Sequence, residues 1–202
     1  MIDKGSLIVI SGPSGSGKGT ILNEYNMKYK DDKTIYSISA TTRLPREGEE
    51  DGVNYYFVDH EKFRSMIDRQ ELLEYAEYVG NYYGTPEAPL NQALADGNDI
   101  ILDIEVQGAL NVRKRRPDAT LIYMMAPSFE ELKRRLYGRG DTAPEVVEER
   151  LNRAKWEFSQ APQYDYLVIN DRIENAVNEI ISIITAQKCK MDCRIHVLKE
   201  EL

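Results

Sequence analysis

Short apolar runs alternate along this chain with helix-length amphipathic stretches. That alternation is the pattern of βαβ units wound about a mostly parallel sheet. Five core strands are predicted, at Leu7–Ser11, Ile35–Ala40, Ile100–Ile104, Thr120–Met125 and Tyr166–Ile169. From Ile173 the apolar positions Ala176, Val177, Ile180, Ile181 and Ile184 fall on one face of a 3.6-residue period, which predicts a helix. Ser128-Phe129-Glu130-Glu131 reads as a capping box opening a helix to about Tyr137. Thr142-Ala143-Pro144-Glu145 repeats the device ahead of Val146, Val147, Arg150, Leu151, Ala154 and Phe158.

Two stretches break the alternation. Between Thr41 and Thr85 lie polar turns, a short aromatic strand (Asn54–Val58), a helix near Glu61–Asp68 and a strand at Leu72–Val79. This segment reads as a lobe inserted into the main fold. Gly138-Arg139-Gly140-Asp141 separates two helices and reads as a hinge.

The 202 residues suit one domain with inserted subdomains. The net charge of −8 argues against a general nucleic-acid binder, which would show a basic surface. The longest apolar run, Leu121–Ala126, is far short of a membrane span, and Leu7–Ile10 is too short for a signal-peptide core. Two cysteines near the C-terminus make no disulfide framework. A cytoplasmic protein that binds neither nucleic acid nor membrane is the expectation. Cys189, Cys193 and His196 lack a fourth ligand for structural zinc. The basic run Arg113 to Arg116 reads as a solvated helix end.

The first chemically informative segment follows Leu7–Ile10. Ser11-Gly12-Pro13-Ser14-Gly15-Ser16-Gly17-Lys18-Gly19-Thr20 runs into a helix with Ile21, Leu22, Tyr25 and Tyr29 on one face. Strand, glycine-rich loop and helix stand in the order of a nucleotide phosphate loop. Glycines allow backbone N–H groups to converge on phosphate oxygens, the helix N-terminus adds its dipole, and Lys18 supplies charge. Gly12, Pro13, Ser14, Gly15, Ser16, Gly17, Lys18, Gly19 and Thr20 are therefore candidate ATP contacts. A turn that merely opens a helix is the alternative. Gly19 stands where the strict motif has Ser or Thr for Mg²⁺, and Thr20 follows one place later. Asp103, at the end of a buried strand, is the candidate Mg²⁺ residue, holding the ion through water. A strand-end Asp with no metal role is its alternative.

The loop alone does not choose a reaction. In the inserted segment Arg43 and Arg46 flank Pro45, and paired guanidinium forks suit a phosphate. Tyr55, Tyr56, Phe57, Tyr75, Tyr78, Tyr82 and Tyr83 cluster beside them. Ser11–Thr20, Ser39–Gly48, Gly80–Thr85 and Ile101–Gly108 together resemble, in order, the motifs of guanylate kinase. The resemblance runs from about Leu7 to Asp171.

That resemblance implies an α/β phosphate-loop NTPase fold of three layers. It would have a mostly parallel five-stranded core, an inserted mixed α+β GMP-binding lobe at 41–87 and a small helical lid at 137–156. The core would comprise 1–40, 88–136 and 157–202. It implies transfer of the γ-phosphoryl group of ATP to GMP with Mg²⁺, dGMP being a further acceptor, in purine nucleotide metabolism and GMP recycling. Ser39, Arg43, Arg46, Tyr55 and Tyr83 match the family's GMP-phosphate contacts, and Glu74 and Thr85 its guanine contacts. Glu105 matches an acidic position near the acceptor base, and Asn170 one associated with adenine. Lys18, Arg43, Arg135, Arg139 and Arg150 would be the catalytic cations. Arg134 and Arg153 read as solvated helix-face charges. Two alternatives stay open, another nucleoside-monophosphate kinase and a non-catalytic guanylate-kinase-like binding module. The acceptor residues speak against the first; Lys18, Asp103 and the arginines speak against the second. The chain is expected to be a monomer or homo-oligomer.

Overall fold

The structure is a computed structural model that describes residues 4–29, 31–78, 80–138, 143–191, 193–195 and 197. Its centre is a parallel sheet of five strands: β1 (Leu7–Ser11), β2 (Thr34–Tyr36), β7 (Asp99–Asp103), β8 (Thr120–Met125) and β9 (Tyr166–Ile169). They lie in the order β2-β7-β1-β8-β9. Side chains alternate across each strand and so feed two cores. On one face Ile8, Ile10, Ile101, Ile122, Met124 and Val168 meet α1 (Lys18–Lys28) and α7 (Ile173–Lys188). On the other Leu7, Val9, Ile100, Leu102 and Leu121 meet α3 (Glu87–Ala95) and α4 (Val106–Arg115). This is the expected three-layer arrangement. Among the described residues no helix is long and apolar enough to cross a membrane.

The predicted strand Ile35–Ala40 is in fact divided. Thr34–Tyr36 pairs with β7, while Ala40–Thr41 (β3) belongs to a second sheet with β4 (Tyr56–Phe57), β6 (Asn81–Pro86) and β5 (Leu72–Tyr78). Ser37 still donates its backbone N–H to Ile101, whereas the Ser39 carbonyl accepts from Tyr56, so the chain changes sheets across two residues. The order β4-β3-β6-β5 leaves β5 at an edge. Strand β6 and helix α3 are elements the pattern does not predict. Gly84 and Pro86 disguise β6 as a turn, but a Cβ at Gly84 would lie 3.0 Å from the ring of Phe63 and from the Glu74 carbonyl. Close packing explains that glycine.

Helix α2 (His60–Asp68) covers the second sheet, with Asp59 accepting from the Lys62 N–H as its cap. Phe63 is fully buried there and stacks on Tyr82 at 5.4 Å. Ser128 caps α5 (Phe129–Tyr137) through the Glu131 N–H, as the pattern predicts. The cap of α6 (Pro144–Gln160) differs: Ala143 occupies the N-cap with no side-chain bond, Pro144 starts the helix, and Thr142 lies outside the described residues. Two predicted face residues are also turned outward. Tyr29 is 47% exposed because α1 ends at Lys28, and Val146 faces solvent while Glu157 takes an interior place on α6. Helix α6 runs unbroken past position 156, so the boundary drawn there falls inside one helix.

Phe63→Ala removes the largest side chain of the small second core. It is expected to cost about 3–5 kcal/mol of unfolding free energy, measured by urea titration.

Candidate active site

The parallel strands all end at one edge, and the register sets Ile10 of β1 beside Asp103 of β7. The loop leaving β1 and the carboxylate ending β7 therefore share one crevice, where ligands of open α/β sheets collect. Gly12, Gly15 and Gly17 have φ of 153°, 87° and 92°, and each is also hemmed in. A Cβ would lie 2.0 Å from the Met124 carbonyl at Gly12 and 2.2 Å from the Asn170 amide at Gly17. Lys18 opens α1 and its Nζ donates to the Gly12 carbonyl at 2.7 Å, across the mouth of the loop. Asn170 is buried and donates from Nδ2 to the Ser16 carbonyl at 2.8 Å. Arg135 reaches the same carbonyl and that of Asn170, at 3.3 and 3.0 Å, and pairs with Glu131. Arg134 and Arg135 together hold the Glu131 carboxyl down to about 2.

A cleft of about 450 Å³ opens above the loop. It is lined by Pro13 to Thr20, Ser39, Tyr55, Glu74, Ala76, Tyr83, Asp103, Ile104 and Glu105. Residues from both sheets thus face one space, of the volume small-molecule sites usually have. The second-sheet wall is built as follows. Glu74 is 6% exposed and accepts from Thr85 Oγ1 at 2.7 Å. Burial pushes its pKa up to about 7, against the Thr85 hydrogen bonds. Arg43 holds Glu49 bidentately, both bonds 2.9 Å, and lies over the Tyr55 ring at 5.4 Å. The Arg43 hydrogen bonds hold the Glu49 carboxyl below its ordinary value. Arg46 is exposed, with its backbone N–H donating to Glu49.

On the core side, protein packed round the Asp103 carboxyl raises its pKa, with Glu105 adding and Lys18 opposing, while the residue still opens onto the cleft. Glu105 caps α4 without a side-chain cap bond and sits 3.8 Å from Arg153. Arg150 is not among the cleft-lining residues, and its Nε is buried with no hydrogen-bond partner. Arg139 lies outside the described residues.

Three family comparisons bear on this geometry. The guanylate kinase family model matches residues 4–187. The chain belongs to the guanylate kinase family. Its sequence is 52% identical to the guanylate kinase of Halalkalibacterium halodurans over 94% of this chain and 92% of the relative. It is 50% identical to that of Listeria monocytogenes over 100% and 98%. The crystal structure of the Anaplasma phagocytophilum guanylate kinase superposes with a TM-score of 0.76 at 32% identity, covering 95% of this chain and 90% of that one.

In this guanylate kinase fold several side chains do something other than the sequence suggests. The arginines at the end of α4 make specific bonds, although Lys114 and Arg115 stay exposed as a solvated helix end would be: Arg113 bonds Asp165 and the Ala119 carbonyl, Arg116 bonds Asp118, and Arg115 bonds Leu72, Leu73 and Glu87. Arg153 likewise bridges Glu105 and the buried Glu157. Asn170 braces the phosphate loop. Ala76 and Ile104 line the cleft and Glu49 holds Arg43, although the sequence reading gave none of them a role, since small, apolar or turn residues carry no chemical signal of their own. Tyr82 packs in the second core, Tyr75 is exposed, and the Tyr78 side chain lies outside the described residues. Among the described residues no group of three or more His, Cys, Asp or Glu could hold a metal ion.

The raised pKa of Glu74 has a consequence for stability. The folded state holds a proton there between the ordinary value of 4.5 and about 7, so stability falls as pH rises through that window. At pH 8 the buried charge costs about 3 kcal/mol. Glu74→Gln keeps an acceptor for Thr85 and removes the charge. The variant is expected to melt several degrees higher than the parent at pH 8 and at the same temperature at pH 4.5, by calorimetry.

Proposed function

We propose that the chain transfers the γ-phosphoryl group of ATP to GMP, giving ADP and GDP, and that the cleft above β1 is where both nucleotides meet. The observation that carries this reading is that one cleft is lined both by the glycine loop and by the buried Glu74, which Thr85 holds from behind the lining. Guanine presents N1–H and N2–H₂ donors along one edge, and a carboxylate accepts both. Adenine offers no such pair, so AMP would leave a buried acceptor unsatisfied. Guanine would supply the hydrogen bonds that Glu74 lacks in the protein alone and draw its proton off.

Roles follow from position. Gly12 to Thr20 wrap the ATP phosphates, all but Pro13 having a backbone N–H to offer, and Lys18 turns from the Gly12 carbonyl to the β/γ oxygens. Asn170 serves that site by bracing the loop. Ser39, Arg43, Arg46, Tyr55 and Tyr83 take the GMP phosphate, which displaces Glu49 from the Arg43 fork. Glu105 stands beside the acceptor base. A GMP phosphate oxygen, already an anion, attacks the γ-phosphorus as the bond to the β-phosphate oxygen breaks and ADP leaves. No general base is needed. Arg135, Arg139 and Arg150 stabilise the charge on the transferring group, the dominant task in such chemistry. The unpaired Nε of Arg150 is a donor in search of that charge. Asp103 fits a hydrated Mg²⁺, which keeps most of its waters and needs few protein ligands, and a cation there would relieve its raised pKa. When bound, Mg²⁺ would neutralise charge on the nucleotide phosphates. Residues 41–87 would form the GMP lobe and 137–156 the lid that excludes water. The reading puts the reaction in the cytoplasm and admits dGMP as a second acceptor.

Coupled ADP production with ATP–Mg²⁺ and GMP, AMP, CMP or UMP in parallel tests the reaction. Strong turnover with GMP alone is expected; turnover favouring AMP would remove Glu74 and Thr85 from the acceptor base. Glu74→Ala is expected to raise the KM for GMP by roughly 100-fold, as for a site that loses its designed hydrogen bonds, while leaving that for ATP little changed. An equal, modest rise in both would contradict the assignment.

A further inference from the structure

Helix α4 carries a glycine in its interior, Gly108, where alanine would favour the helix. The reason lies across the interface: a Cβ there would stand 2.5 Å from Glu74 Oε2 and 3.2 Å from its carboxyl carbon. Any retreat of Glu74 would strain the hydrogen bond by which Thr85 holds its other oxygen at 2.7 Å. Seven residues on, two turns along the same face, stands Arg115. Its Nη1 donates to the carbonyls of Leu72 and Leu73, at 2.5 and 2.9 Å, and its Nη2 to Glu87 at 2.6 Å. Those carbonyls belong to the two residues immediately before Glu74. The β5–β6 register shifts between Leu72 and Glu74, and β5 is an edge strand, so Arg115 grips the backbone where the ladder is irregular and open on one side. Leu73 between them is fully buried in the main core.

We infer that α4 sets the position of the acceptor-selecting carboxylate, Gly108 by clearing the space it occupies and Arg115 by gripping the bulged backbone that presents it. Both are positioning residues, and the inference rests on the reading of Glu74 as the guanine acceptor. Arg115 is partly open to solvent, so its ion pair with Glu87 contributes little by itself. Its force is geometric. One guanidinium nitrogen holds two successive carbonyls while the other is fixed by Glu87, a spread of donors that a single ammonium nitrogen cannot reproduce with the same fixed angle. The same helix begins at Glu105, so one rigid element spans the cleft edge, the back of Glu74 and the strand entering it.

Steady-state kinetics with GMP and ATP on Arg115→Met, Arg115→Lys and Gly108→Ala, each alone and with Glu74→Gln, test this. Arg115→Met and Gly108→Ala are expected to raise the KM for GMP roughly tenfold, part of what a 1 Å misplacement costs, with the KM for ATP within about twofold. Arg115→Lys should recover part of the Arg115→Met loss. In the Glu74→Gln background neither change should raise the KM for GMP further, because the group they position is gone. Two results would overturn the inference: equal rises for both substrates, or an unchanged KM for GMP in folded Arg115→Met and Gly108→Ala proteins. Should Arg115→Met not fold, Gly108→Ala carries the test, since alanine is the better helix residue. If Glu74→Gln alone leaves the KM for GMP unchanged, the guanine assignment itself fails, which the parallel single variant distinguishes.

Discussion

A backbone that closes tightly round a phosphate has no room for a side chain where it turns against its supports. The loop after β1 meets that constraint with Gly12 against the Met124 carbonyl, Gly15 against Leu132 and Leu136, and Gly17 against Asn170 and Arg135. Each contact joins the loop to a different element: the end of β8, helix α5, and the residue after β9. The loop is therefore the place where the main sheet, α5 and the C-terminal end of the sheet lock together. Asn170 and Arg135 both donate to the Ser16 carbonyl, so side chains from α5 and from the residue after β9 hold the loop in shape.

The opposite wall obeys another constraint, that a buried carboxylate must be compensated. Glu74 has Thr85 and little else, and its raised pKa records the shortfall. Arg43 shows the converse. Its guanidinium is already satisfied by Glu49. The same wall thus carries a buried acceptor short of donors and a cation already paired with an anion. Selectivity is strongest where a site loses hydrogen bonds with the wrong ligand.

Arginines illustrate how much tertiary context decides. Arg113, Arg115 and Arg116 form an ordinary basic run in one dimension, yet in space they reach three different partners: Asp165, the β5 backbone and Asp118. Arg153 and Glu157, four apart on α6, form a pair whose acid is 2% exposed and whose base reaches Glu105. Nothing in local periodicity marks Glu157 as interior, because a helix pattern reports apolar positions and is silent about paired charges.

The sequence by itself determined the parallel core and the glycine loop with its lysine. Those features are encoded locally: alternation along buried strands, glycines where φ is positive, and motif order along the chain. It did not reveal that Ile35–Ala40 would serve two sheets, that β6 would hide behind Gly84 and Pro86, or that Asn170 would brace the loop from below. Nor did it reveal that Glu49 would hold Arg43, or that Gly108 and Arg115 would frame Glu74. Apart from the Arg43–Glu49 pair, six residues apart, those facts depend on contacts between distant segments, up to 154 residues apart for Asn170 and Ser16. Only the folded backbone brings such segments within hydrogen-bond distance, and so only tertiary structure could decide them.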